Sequence, residues 1–340
     1  MEIPLKLSIL DQSPAAEGET AAQALQHTIE LAQHAEAWGY HRFWVAEHHN
    51  SRRNMGSSPE VLISHLLART DSIRIGSGGV MLQHYSPYKV AENFNVLASL
   101  APGRVDLGIG RGPGGLPRST QALRTQPGDV PNSKSLDEKL KELRQFLNCD
   151  ANGNSLSSGL IATPLPPQPA DVFLLGTTAA SAEVAADQRL PYVFAMFLNG
   201  DEAEMRKAIE IYHSRSCPNP EFQPRAMLAL PIIVADTDQE ASGYAENINV
   251  VRVRLASGRT FTVFSEEGAR EFGRQSGEDY TFQVQPANVI HGSAEAVKYR
   301  LIQVSEEYRV EEIFAVTAID SFQKRLHSYE LLGEAMITRA

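Results

Sequence analysis

Three short stretches of this 340-residue sequence carry side chains whose type and spacing could do chemistry. The first is Glu47-His48-His49, at the end of an apolar run over residues 41–46. Side chains alternate along a strand, so Glu47 and His49 share one face and His48 takes the other. An imidazole exchanges protons near neutrality, which makes either histidine a candidate acid or base, and the ordinary alternative is a satisfied structural residue. Neither H-E-x-x-H nor H-x-H occurs, so the spacing does not point to zinc. The second stretch, Gly110-Arg111-Gly112-Pro113-Gly114-Gly115, sets a guanidinium among glycines, where it and backbone N–H groups can both approach an anion. Pro113 and Pro117 prevent the immediate helix that a dinucleotide fingerprint needs, and Arg111 reads equally well as half of a structural ion pair or as a ligand for an anion. The third is Thr177, Thr178 and Ser181, at the mouth of a helix directly after an apolar run over 172–175. Those hydroxyls suit helix capping, a bound phosphate, or both. Side by side at consecutive strand ends, Arg111 and this helix mouth form a phosphomonoester pocket.

The elements that must position these groups follow from periodicity. Residues 73–82 read as a buried strand bent or bulged at Ser77-Gly78-Gly79. Ser86 and Pro87 start a helix that Pro102-Gly103 stops, and a strand over 105–109 leads into the glycine tract. Further strands are expected at 5–10, 41–46, 172–175, 192–196, 227–234 and 313–317. Pro231 sits awkwardly in the seventh of the eight, since it cannot donate to a ladder. Helices are expected at 20–38, with Thr20 and Gln23 at capping-box spacing, from Ser58-Pro59 to 69, at 135–147, from about 178 to 189, at 201–215 and at 322–336. Residues 116–170 hold one helix and a proline-rich irregular tail; residues 238–289 are partly helical, charged, and could fold over the site as a lid. Eight strands, each followed by a helical connection, predict one α/β domain over 1–340, a (β/α)8 TIM barrel with insertions after strands four and seven. Its ligands belong at the carboxyl ends of the strands.

With a net charge of −10 and no dense Lys/Arg run, the chain lacks the electrostatic footprint of a nucleic-acid binder. Cys149 and Cys217 sit in no metal or redox spacing and read as two cytosolic thiols. No targeting signal and no bilayer-length apolar run is visible, so a soluble, cytoplasmic protein is expected, with no membrane partner.

Taken together, Phe43-Trp44-Val45-Ala46-Glu47-His48-His49-Asn50, Ile75-Gly76-Ser77-Gly78-Gly79-Val80, Pro102-Gly103-Arg104-Val105-Asp106-Leu107-Gly108-Ile109-Gly110-Arg111-Gly112 and Leu175-Gly176-Thr177-Thr178-Ala179-Ala180-Ser181-Ala182-Glu183 resemble the bacterial luciferase-like family of flavin-dependent monooxygenases. The resemblance implies a barrel that binds reduced FMN and reacts it with O2 to a flavin peroxide, which oxidises a small, partly apolar substrate. Residue by residue, His48 matches the family's catalytic histidine, and Arg111, Thr178 and Ser181 match its flavin-phosphate ligands. Ser77-Gly78 matches the place of a non-prolyl cis peptide beneath the flavin. Gly110 matches a position beside the ring that is cysteine in light-emitting members, and Met196 one that is a large aromatic there, so no bioluminescence is expected. Also implied are a separate NAD(P)H:flavin reductase and a homodimer through barrel helices. Two alternatives stand beside this: an F420-dependent hydride-transfer enzyme, against which the Glu47-His48-His49 strand end speaks, and a non-catalytic flavin-binding protein.

Overall fold

In the computed structural model, which describes residues 5–124, 134–148, 159–216, 218, 222–263 and 265–337, strand and helix alternate along the chain. In order these are β1 (Lys6–Asp11), α1 (Ala21–Trp38), β2 (Arg42–Val45), α2 (Pro59–Leu67), β3 (Arg74–Val80), α3 (Pro87–Leu100), β4 (Val105–Ile109), α4 (Pro117–Arg124), α5 (Leu136–Leu147), β5 (Asp171–Gly176), α6 (Ala179–Asp187) and β6 (Tyr192–Ala195). There follow α7 (Met196–Asn199), α8 (Glu202–Arg215), β7 (Ala226–Val234), α9 (Asp238–Ala245), β8 (Asn249–Leu255), β9 (Thr260–Val263), α10 (Glu266–Ser276), β10 (Tyr280–Pro286), β11 (Ile290–Gly292), α11 (Ala294–Tyr308), β12 (Glu312–Val316) and α12 (Phe322–Met336). The sheet runs β7-β12-β1-β2-β3-β4-β5-β6, and β6 pairs back onto β7, so eight parallel strands close into the expected (β/α)8 barrel. β11 adds a short parallel strand to the far half of β7.

Local chemistry sets the element ends. Thr20 with Gln23, and Ser135 with Glu138, form reciprocal capping boxes, and Gly39 ends α1 in the left-handed region at φ 87°. Ser58 and Ser86 precede helices without a side-chain cap; there the first-turn prolines Pro59 and Pro87 start the turn through their fixed φ. The same property corrects the reading of 116–170: Pro117 opens α4, a second helix in that stretch. β7 is buried at all nine positions. Pro231 is accommodated because β6 pairs as far as Ala229 and β11 begins at Ile232, so the proline falls at the junction between two partners. The cis peptide lies at Gly78–Gly79, one bond beyond the Ser77-Gly78 expectation, and β3 shifts register against β4 between Gly78 and Val80.

The barrel interior is filled by Leu10, Trp44, Phe173, Val193, Met227 and Phe314 with their neighbours, and a larger apolar layer lies between strands and helices. At the amino ends of the strands Arg42 is paired with Asp106 and Glu312, both at 2.9 Å, and the Trp44 Nε1–H donates to Asp106 at 3.0 Å. The floor is therefore closed and the opposite end is left for a site. Residues 238–289 build α9, then an antiparallel sheet in the order β10-β8-β9 on which α10 packs around Val251, Val253, Leu255, Ala269 and Phe272. The Arg118 N–H donates to Gln275 Oε1 at 3.0 Å, tying the first insertion to this one across the mouth. Cys149 and Cys217 lie outside the described residues. Among the described residues no helix is long and apolar enough to cross a membrane.

Candidate active site

A cavity of about 2200 Å³ opens at the carboxyl ends of the strands. His48, Gly78, Gly110, Arg111, Thr178 and Ser181 all line it, brought together from the ends of β2, β3, β4 and β5. Ser77 does not reach the wall: it is fully buried and its hydroxyl donates to the Gly108 carbonyl at 2.9 Å. Nor does Met196, which is buried and lines a smaller cavity instead; the next residue, Phe197, lines the large one.

The two histidines have separate surroundings, as strand alternation requires. His48 Nε2 lies 2.8 Å from Gln12 Oε1. With the amide in this orientation Nε2 carries the hydrogen and Nδ1 is left as an acceptor. On either side of Gln12 the chain is tied down, since Asp11 Oδ2 accepts from the Ser13 N–H at 3.0 Å and the Thr28 hydroxyl at 2.7 Å. Burial pushes the His48 pKa down to about 4; the Glu47 carboxylate opposes that shift and His49 adds to it. Gln12 Nε2 is itself buried without a partner among the described residues, so this pair keeps one polar atom for a ligand.

Glu47 and His49 instead form a bracket. Glu47, 1% exposed, accepts from His49 Nε2 at 2.7 Å, the Tyr85 hydroxyl at 2.8 Å and the Met81 N–H at 3.0 Å. Burial and that carboxylate hold the Tyr85 hydroxyl well above its ordinary range. The His49 N–H donates to the Gly114 carbonyl at 2.7 Å, so the same group pins the glycine tract that carries Arg111.

Arg111 is exposed into the cavity and makes no hydrogen bond or ion pair among the described residues. Thr178, also exposed, caps α6 by accepting from the Ser181 N–H at 3.3 Å. Ser181 sits behind it, 1% exposed; its hydroxyl donates to the Thr178 carbonyl at 2.6 Å and meets the Tyr192 hydroxyl at 2.8 Å. Burial raises the Tyr192 hydroxyl above its ordinary range, while Ser181 and the Arg111 charge pull the other way, which places that cation in the electrostatic neighbourhood of the helix mouth. Glu204 already takes one donor there, accepting the Ala179 N–H at 2.7 Å. A partnerless guanidinium, an exposed hydroxyl, a helix N-terminus and an orphaned amide suit a phosphorylated polar ligand such as FMN. Among the described residues no group of three His, Cys, Asp or Glu side chains could hold a metal ion.

Gln12, Tyr192, Glu204 and Phe197 were not singled out from the sequence. Gln12 and Phe197 lie at or just past strand ends, which in a barrel is a usable signal; Tyr192 and Glu204 reach the helix mouth only through packing.

Comparison with known proteins agrees with this geometry. The profile described as luciferase-like monooxygenase matches residues 5–312. The chain is 41% identical over 333 residues to an N-acetyl-S-alkylcysteine monooxygenase of Bacillus subtilis (strain 168), covering 98% of each. Among solved structures, apo-MsnO8 superposes with a TM-score of 0.80 at 34% identity, covering 99% of each chain. The oxygenating constituent of 3,6-diketocamphane monooxygenase of Pseudomonas putida, in complex with FMN, and an F420-dependent secondary alcohol dehydrogenase both give 0.70, at 17% and 14% identity and 98% or more of each chain, which shows the fold alone.

Proposed function

Because this chain belongs to the luciferase-like monooxygenase family, we propose that it uses reduced FMN and O2 to place one oxygen atom in a small, partly apolar thioether of the S-alkylcysteine kind. The observation that carries this is the convergence, in one cavity, of Arg111, which has no hydrogen-bond or ion-pair partner among the described residues, the Thr178-capped helix mouth and the His48–Gln12 pair. The substrate class is supported by the similarity to the N-acetyl-S-alkylcysteine monooxygenase.

Reduced FMN, when bound, supplies the two electrons that activate O2. Arg111 and Thr178 hold its phosphate, and Ser181 and Tyr192 fix the Thr178 loop from behind. Gly78 and Gly110 contribute wall without side chains. His48, neutral near pH 7, donates through Nε2–H or accepts at Nδ1 as the reacting oxygen changes its protonation. The insertion over residues 238–289 covers the mouth and keeps water from the reacting groups. A separate NAD(P)H:flavin reductase supplies the reduced cofactor. The chain pairs with a second copy through barrel helices, a reading supported by the exposed Val61 on α2 and Val96 and Leu100 on the adjacent α3.

The test is to mix the protein, chemically reduced FMN and an N-acetyl-S-alkylcysteine with 18O2. Product carrying one labelled oxygen is expected, with Arg111→Met raising the Kd for FMN at least tenfold. Unlabelled product, turnover only with reduced F420, or FMN held without oxygen consumption would overturn the reading.

A further inference from the structure

The cavity contains a cation that the flavin chemistry leaves unused. Alternation along β8 sends Val251, Val253 and Leu255 into the small core against α10 and turns Val250 and Arg252 toward the barrel. Arg252 is half-buried and fixed in place. Its Nη2 donates to the backbone oxygen of Asn199 and to Asn199 Oδ1, the latter at 3.0 Å, and Asn199 Nδ2 donates in turn to the Thr177 carbonyl at 2.5 Å. Other cations of the wall differ. Arg270 is paired with Glu266, Arg274 with Glu271, and Lys324 lies over the Tyr244 ring, while Arg52 and Arg53 are exposed to water. Arg252 has no ion pair among the described residues, and its Nε and Nη1 make no hydrogen bond with them. A partly desolvated guanidinium whose fork is half committed and half open is complementary to a planar carboxylate, and carries a desolvation cost that an arriving anion offsets.

We propose that Arg252 binds a carboxylate of the substrate and selects acidic substrates over their neutral esters. The assignment rests on the preceding reading, in which Arg111 takes the cofactor phosphate and so leaves Arg252 for a second anion.

Calorimetric titration of the full chain, saturated with FMN, against N-acetyl-S-benzylcysteine and its methyl ester reads the preference directly. The acid should bind at least tenfold tighter than the ester. Arg252→Met should bring the acid to the ester's level and change FMN affinity, read by flavin fluorescence, by less than twofold; Arg252→Lys should keep an intermediate preference. Equal binding of acid and ester, binding of neither, or loss of FMN affinity as large as the loss of acid affinity would overturn the assignment, the last by making Arg252 a phosphate ligand. Oxygen consumption with reduced FMN, measured in parallel, separates the two readings: acid-selective binding without oxygen use upholds Arg252 and removes the monooxygenase.

Discussion

Burial decides what His48 can do. With its pKa pushed down to about 4, it is neutral over the whole range in which the enzyme would work, so in the proposed role it would act as a neutral donor or acceptor and not as an imidazolium. The acid limb of turnover at saturating reduced FMN should therefore fall near pH 4, and a limb centred at the ordinary histidine value would contradict the assignment. His48→Gln should slow turnover by about 10²-fold with FMN affinity nearly unchanged. Stability carries the same signature. Between the ordinary histidine pKa of 6.5 and about 4 the unfolded chain binds a proton here that the folded chain does not, so this contribution is complete above 6.5 and is lost as pH falls through that window. Urea midpoints at pH 7.5 and 4.5 should drop more for the wild type than for His48→Gln. Residue type marked the Glu47-His48-His49 stretch, Arg111 and Thr178 in the sequence, and the family resemblance chose His48 of the two histidines. It did not mark Gln12, because a glutamine after a strand is unremarkable until topology brings β1 beside β2 and sets it 2.8 Å from the imidazole.

Between elements, the site depends on how closely β3 approaches β4. A Cβ on Gly108 would lie 2.2 Å from the Ser77 carbonyl oxygen, and one on Gly79 would lie 2.7 Å from the Gly108 oxygen; both obstacles are backbone, which cannot turn aside. Gly108→Ala should force the strands apart under the cavity and destabilise the fold by about 3 kcal/mol. Gly243→Ala on α9, where a Cβ meets nothing within 4 Å, is the matched control and should be neutral or slightly stabilising. Equal denaturation midpoints for the two variants would show that the approach is looser than the geometry indicates. The sequence disclosed a glycine-bent third strand but not this mutual exclusion, which exists only once Gly78 is opposite Gly108. Pro117 misled, and Pro231 sat awkwardly in a strand that does form, for a related reason: proline removes a donor, and whether that matters depends on a partner strand or a helix start that the local pattern does not contain. The period-two run Val251, Val253, Leu255 was present in a segment read as partly helical, its signal masked by the charges of Arg252 and Arg254 on the opposite face of the same strand.

At the scale of the molecule, the barrel and its cover rest on separate cores of unequal size. The small core of the cover is built, among the described residues, on Val251, Val253, Leu255, Ala269 and Phe272, with Phe261 packed on Phe272 at a ring separation of 4.6 Å. The barrel has layers both inside and outside its strands. Truncating Phe272 to alanine removes the largest side chain of the small core, at about 3 to 5 kcal/mol for a buried phenylalanine, more than so few contacts can spare, and leaves the barrel's own packing intact. Phe272→Ala should speed amide exchange across residues 249–286 while β1 to β7 keep their protection, and FMN affinity should stay within threefold because Arg111 and Thr178 belong to the barrel. Hydrogen peroxide released per O2 consumed should rise if, as proposed, the cover keeps water from the reacting oxygen. Exchange that rises throughout the barrel strands would show that cover and barrel unfold as one unit; unchanged peroxide release with a loosened cover would show that the barrel mouth shields the reaction unaided.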